Sequence, residues 1–156
     1  MKITLLVVGK TTDAHIEALL QDYQKRLVHY VPFNLMVIPE LKNTKSLTSE
    51  QQKQAEGELI LRQITPSTDM ILLDERGKEY RSIEYADYLQ KKMSSGRDVV
   101  FVVGGPYGFS QAVYERANGK ISLSKMTFSH QMVRLFFVEQ IYRAMTILRG
   151  EPYHHE

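Results

Sequence analysis

The sequence predicts an α/β fold, a mainly parallel sheet with helices on both faces. Two observations carry that expectation. Short apolar runs alternate five times with segments whose apolar residues recur every three and four positions, the order that builds a parallel sheet. The run Val99–Val103 is apolar throughout, four valines about Phe101, and a strand covered on both faces reads this way.

The elements follow in order. Ile3 to Val8 is a buried strand ended by Gly9. Asp13 caps a helix whose apolar residues Ile16, Leu19, Leu20, Tyr23 and Leu27 share one face. Phe33 to Ile38 is a second strand, stopped by Pro39. Glu40 to Leu47 is polar, lysine-bearing and without period, a mobile surface loop. Thr48 stands three residues before Gln51, a capping-box spacing, so a helix should run to about Ile64, with Pro66 beyond it. Met70 to Leu73 is a short third strand, and Asp74 to Gly77 a turn. Ser82 is the expected cap of a helix carrying Ile83, Ala86, Leu89 and Met93, ended at Ser94-Ser95-Gly96. After Val99–Val103 comes the glycine loop Gly104-Gly105-Pro106-Tyr107-Gly108. Ser110 caps a short helix to about Asn118, with Gly119 as its C-cap. Ile121 to Ser124 is the fifth strand, and the last helix spans about His130 to Leu148.

All of residues 1–156 reads as one domain, long enough to bury a core without staples. The chain has no cysteine, which excludes disulfides, thiolate zinc sites and cysteine nucleophiles. No His, Asp or Glu set has metal-ligand spacing, and no nucleophile elbow is present, so no metal is expected. No apolar run approaches the roughly 18 residues that span a bilayer. Ile3–Val8 is too short for a signal sequence, so the chain is expected to be soluble and cytoplasmic, away from membranes. Residues 1–96 hold 13 basic and 13 acidic side chains, and residues 97–156 hold 7 and 5 with three of the five histidines. The mildly basic C-terminal third suits phosphate and an ordinary solvated surface equally.

In parallel sheets, ligands bind beyond the carboxyl ends of the strands. That directs attention to the segments after Leu73, after Val103 and after Ser124. The glycine loop can expose backbone N–H groups to a ligand, or be a tight strand-to-helix turn. Its spacing is neither the G-x-G-x-x-G fingerprint nor a Walker loop. Ser122 to His130 mixes hydroxyls, a cation and apolar side chains. It can wrap a polar ligand while Met126 and Phe128 cover an apolar ring, or simply connect to a helix capped by Ser129.

The last helix is apolar around too much of its circumference for one core-facing stripe, with Leu135, Phe136, Phe137 and Val138 consecutive. A homodimer interface accounts for that, as does a helix buried on several sides. Glu139 and Arg143 are four apart, the spacing of a helical ion pair. The tail, Arg149 to Glu156, is a frayed end by composition, or a segment that stacks on a base and contacts phosphate.

Five segments, ITLLVVGK, ILLDERGKEYRS, VFVVGGPYGFS, SLSKMTFSHQMVRLFFVEQIYRA and GEPYH, occur in this order across nearly the whole chain. Together they resemble the small single-domain pseudouridine methyltransferases of the large ribosomal subunit, in the SPOUT superfamily. The resemblance implies a C-terminal trefoil knot, a topology otherwise nearly absent from proteins. It implies S-adenosyl-L-methionine as cofactor, bound in the knot. The implied substrate is a pseudouridine of 23S ribosomal RNA, methylated on ring nitrogen N3 by a homodimer acting on assembled ribosomes. Carried over by motif, Leu73 lies at a strand end against the cofactor, Gly104 and Gly105 belong to the loop around it, and Leu123, Ser124, Lys125, Met126, Thr127 and Phe128 wrap it. Arg134, Tyr153 and His154 match the RNA-facing side, together with His130.

Such a reaction transfers a methyl group directly, which agrees with the missing cysteine. The ring nitrogen must lose a proton, to His130, to His154 or to water, while Arg134 holds phosphate or the deprotonated base. Two other classes fit the fold: a non-catalytic ribosome-binding factor, and a nucleotide-dependent oxidoreductase, which the absent G-x-G-x-x-G disfavours.

Overall fold

The computed structural model describes residues 1–155. Five strands, β1 (Ile3–Val8), β2 (Phe33–Ile38), β3 (Asp69–Glu79), β4 (Val99–Val103) and β5 (Gly119–Ser122), form one sheet in the order β2-β1-β4-β3-β5. Every pairing is parallel. The helices are α1 (Ala14–Leu27), α2 (Ser49–Arg62), α3 (Ser82–Ser94), α4 (Gln111–Arg116) and α5 (His130–Leu148).

Side chains alternate across the sheet and build a core on each face. Leu5, Ile71 and Phe101 join residues of α1, α3 and α5, and Phe101 meets Phe137 of α5 with ring centroids 4.8 Å apart. Their neighbours Leu6, Leu72 and Val102 point the other way, onto Ile60 of α2 and Val113 of α4. The five residues of β4 are all buried, because the strand is central and helices cover both its faces.

The capping residues act as their chemistry predicts. Asp13 accepts from the backbone N–H groups of His15 and Ile16, at 2.9 and 3.1 Å. Thr48 and Gln51 form the reciprocal capping box. Ser110 and Ser129 accept from Val113 and Met132.

Several boundaries differ from the sequence reading. β3 does not end at Leu73. Leu73 and Lys78 both pair with Ile121, so residues 74–77 loop out as a bulge within a strand that reaches Glu79. Gly77 makes this possible, since a Cβ there would lie 2.6 Å from the carbonyl carbon of Ile121. Ser82 is the first residue of α3 rather than its cap. Its hydroxyl donates to Gln140 of α5 at 3.1 Å, and the Glu84 carboxylate accepts from the Arg81 N–H at 2.7 Å. α2 ends at Arg62. α4 ends at Arg116, and Gly119 opens β5 instead of closing the helix. The cause is Asn118, which bonds Met70 through both its N–H and its side-chain oxygen, at 2.7 and 2.8 Å, and stitches the chain onto β3. β5 therefore starts and stops two residues early. The polar loop contains one 3₁₀ turn, Thr44–Ser46, entered through Asn43 in a left-handed conformation at φ 59°.

Candidate active site

β4, β3 and β5 are neighbours and parallel, so their carboxyl ends converge on one edge of the sheet. A cavity of about 660 Å³ opens there, within the range of small-molecule sites. Three walls come from the three segments singled out by position. Leu73 and the bulge Asp74-Glu75-Arg76 supply one, the loop from Gly104 to Phe109 the second, and Leu123, Ser124, Met126, Thr127 and Phe128 the third. His130 and Val133 of α5 and Glu50 and Lys53 of α2 complete the rim.

Each wall is held from within. The Tyr114 hydroxyl donates to Asp74, which also accepts from the Arg76 N–H at 2.9 Å. Burial, then that bond to Asp74, pushes the Tyr114 hydroxyl up to about 12. Ser122 donates to the carbonyl oxygen of Ser124 at 2.8 Å, and the Ser124 hydroxyl accepts from the Met126 N–H at 2.9 Å. The loop after β5 thus keeps its curve with its own hydroxyls. Met126 is 77% exposed at the mouth, an apolar side chain with little of this chain to cover.

The glycine loop is shaped from beneath. A Cβ on Gly104 would press on the Phe109 ring at 3.1 Å, and one on Gly105 would overlap the Glu56 carboxyl group, with its carbon at 2.8 Å. The sequence left these glycines open between close approach of a ligand and a tight strand-to-helix turn. The structure assigns the crowding to the protein side of the loop. Glu56 itself, missed in the sequence, is 4% exposed. Burial raises its pKa, opposed by the bond from Gln52 and by His130 and assisted by Glu40.

Of the expected cofactor residues, Leu73, Gly104, Gly105, Leu123, Ser124, Met126, Thr127 and Phe128 line the cavity. Lys125 does not; its side chain is 86% exposed and lies 4.0 Å from Glu79. His130 is exposed on the cavity rim.

Arg134 departs from its expected place. It is 2% exposed and faces inward rather than toward RNA. Its guanidinium donates to the carbonyl oxygens of Val8, Gly9 and His130, each at 2.9 Å, and to Thr11 Oγ1 at 3.1 Å. Desolvation lowers its pKa, partly offset by Glu40 and Glu17. In this chain Arg134 ties the start of α5 to the end of β1.

As far as His154 the tail is packed, not frayed. The Tyr153 hydroxyl donates to Glu139 at 2.9 Å and lies 3.0 Å from the Tyr23 hydroxyl, while its ring stands edge-on to Tyr142. Arg143 sits over the Tyr153 ring, reaches His154 Nδ1 at 3.1 Å, and forms the expected ion pair with Glu139 at 2.6 Å. Tyr30 donates to Glu151 at 2.6 Å. His130 opens α5 whereas His154 packs beside Arg143, thirteen residues further on, or roughly 20 Å at the helical rise. The two candidate bases are therefore not brought together within one chain.

A second cavity of about 320 Å³ adjoins the first and shares Ser122, Leu123 and Phe128 with it. Tyr80, Tyr85 and Phe136 also line it. Along α5, Phe137 and Val138 are buried in this chain's own core, Leu135 is half-buried, and Phe136 is 39% exposed. Among the described residues no helix is long and apolar enough to cross a membrane, and no group of three metal-ligating side chains is gathered.

A parallel sheet with a glycine-lined cavity across the ends of three adjacent strands is the arrangement in which α/β proteins bind small ligands. The family is shown by comparison. The family profile described as "Predicted SPOUT methyltransferase" matches residues 1–154, and the chain belongs to that family. It is 61% identical over 157 residues to a protein of Bacteroides thetaiotaomicron named "Ribosomal RNA large subunit methyltransferase H", all of both chains being covered. Relatives with the same name are 57% identical in Flavobacterium psychrophilum, again over all of both chains, and 56% in Christiangramia forsetii over 99% of each.

Proposed function

We propose that the chain is an S-adenosyl-L-methionine-dependent methyltransferase that methylates N3 of a pseudouridine in 23S ribosomal RNA. It would work as a cytoplasmic homodimer on assembled ribosomes. The observation that carries the reading is the cavity itself. The segments that resemble the family's cofactor motifs are the ones that fold into its walls. Full-length identity to relatives named as large-subunit ribosomal RNA methyltransferases supports the substrate class.

The residues present fit the cofactor. Leu73, Leu123, Met126 and Phe128 offer apolar cover for a purine ring. Backbone groups of Gly104, Gly105 and the Ser124–Phe128 loop offer polar contacts. When bound, the cofactor supplies an electrophilic methyl group. The chain holds the target nitrogen in line and excludes water from the gap. The ring nitrogen has to be deprotonated. His130 lies exposed on the rim, which supports it as the base over water and the more remote His154. Arg134, buried under the rim, keeps His130 in place through its bond to that residue's carbonyl oxygen. The C-terminal knot belongs to the same proposal, with β5 and α5 as the threaded segment. A homodimer would cover Met132 and Phe136, the exposed apolar residues of α5.

The test is direct. Ribosomes from a strain lacking the gene are incubated with the protein and labelled S-adenosyl-L-methionine. The RNA is then digested and its nucleosides weighed. N3-methylpseudouridine should appear in 23S RNA, and a ribosome-binding factor without activity would leave the RNA unlabelled.

A further inference from the structure

We propose that Glu56 is a positioning residue for the cavity: buried beneath Gly105, its carboxyl group sets the shape of the glycine loop that forms one cavity wall. The proposal rests on the cofactor reading of this site and adds a residue to it.

α2 and the loop are keyed together at two points. On the helix, Gly57 yields room to Ser110, the residue that ends the loop and caps α4. A Cβ at Gly57 would lie 2.5 Å from the Ser110 hydroxyl oxygen and 3.2 Å from Val113. On the loop, Gly105 yields room to Glu56, whose carboxyl carbon would lie 2.8 Å from a Cβ there. The adjacent pair Glu56-Gly57 thus fixes the loop near its start and at its end. Lys53, one turn earlier on the same helix, lines the cavity. Glu56 does not line it, so it acts through the loop rather than on a ligand.

The carboxyl group is poorly satisfied for its depth. Oε2 accepts from Gln52 at 3.2 Å, and Oε1 is buried without a hydrogen-bond partner. Its charged neighbours oppose one another: Lys53 on its own helix pairs with Glu50 at 3.0 Å, Glu40 from the segment after β2 raises its pKa, and His130 of α5 lowers it. Burial raises the pKa of this carboxyl group and so disfavours its charged form. A neutral acid can press against the backbone of Gly105 where an ion would draw water in and lift the loop.

The experiment is calorimetric titration of S-adenosyl-L-methionine into the wild type and into Glu56→Gln, Glu56→Ala and Gly105→Ala, with thermal melting of each. Glu56→Gln keeps the shape of the side chain without its charge and should bind within about threefold of the wild type. Glu56→Ala removes the support and should bind at least about tenfold more weakly while still melting cooperatively. Gly105→Ala should also bind weakly. Adding the shorter Glu56→Asp to it should restore part of the loss, because the acid retreats from the new methyl group. That pair keeps the test decisive if Glu56→Ala does not fold. Glu56→Ala binding like the wild type, Glu56→Gln binding as weakly as Glu56→Ala, or Gly105→Ala unaffected by Glu56→Asp would each overturn the proposal. A wild type that binds no cofactor would instead overturn the reading of the site itself.

Discussion

The guanidinium of Arg134 donates to the carbonyl oxygen of Gly9 at 2.9 Å, joining residues 125 apart in sequence across the end of β1. With Val8, Thr11 and His130 also held, this one side chain satisfies three carbonyl groups and a hydroxyl. Arg134→Ala should therefore lower stability by about 3 kcal/mol, since it leaves buried acceptors unpaired. Arg134→Lys should recover little of it, because one ammonium group cannot reproduce a planar fork. Urea denaturation measures both. A variant of wild-type stability that is merely inactive would return Arg134 to the substrate.

Gly77 predicts a second outcome. Its Cβ position lies 2.6–2.8 Å from three backbone atoms of Ile121, and backbone cannot move aside as a side chain can. Gly77→Ala should break the pairing of Lys78 and Glu79 with β5 and deform the bulge that lines the cavity. Cofactor binding should fall on the order of tenfold or more, with a lower melting temperature. An alanine variant that binds normally would show that the bulge is not needed.

Alkaline pH tests the tail. The bond from Tyr30 to Glu151, then burial, holds the Tyr30 hydroxyl at about 12, above its ordinary 10. A phenol with a raised folded pKa contributes stability that is fully present below the unfolded value and is lost as pH rises toward the folded one. Stability should accordingly drop between pH 10 and 12. Tyr30→Phe should start lower and lose less across that window, and parallel curves for the two proteins would contradict the assignment.

Removing Tyr153 to Glu156 is expected to act twice. Loss of the Tyr153 bond to Glu139 and of its packing on Tyr142 should lower stability by about 1–2 kcal/mol. If the tail also positions RNA, methylation of ribosomes should fall roughly ten- to a hundredfold, with cofactor affinity retained. The intact protein should show the steeper salt dependence. Full activity after truncation would leave the tail a purely structural role; Glu156 lies outside the described residues.

The strands and helices were legible because each carried a local signal: the all-apolar run of β4, the three-and-four spacing of α1, and the caps Asp13, Thr48, Ser110 and Ser129. The three cavity segments were legible from the strand ends read in the sequence, although β3 runs on past its bulge to Glu79 and β5 stops at Ser122. What stayed hidden depends on contacts distant in sequence. Nothing around Lys78 shows that it pairs with Ile121, nor does Gly119 show that Asn118 is tied to Met70. Arg134 was matched to the RNA-facing side because the Val8 and Gly9 carbonyl groups and the Thr11 hydroxyl that receive it lie far away in sequence, at the end of β1. Glu56 carried no signal in the sequence, since its burial is created by a loop some fifty positions away. The tail's composition suggested fraying, and its order comes from partners on α1 and α5.

We propose that this cavity holds a methyl donor for ribosomal RNA. Mass spectrometry of 23S RNA, from ribosomes treated with the protein and isotopically labelled S-adenosyl-L-methionine, tests it most directly. The account predicts one labelled methyl group on a single pseudouridine, at N3, and its absence when cofactor is withheld. Label on another nucleotide, or none on RNA from ribosomes that the protein demonstrably binds, would contradict it.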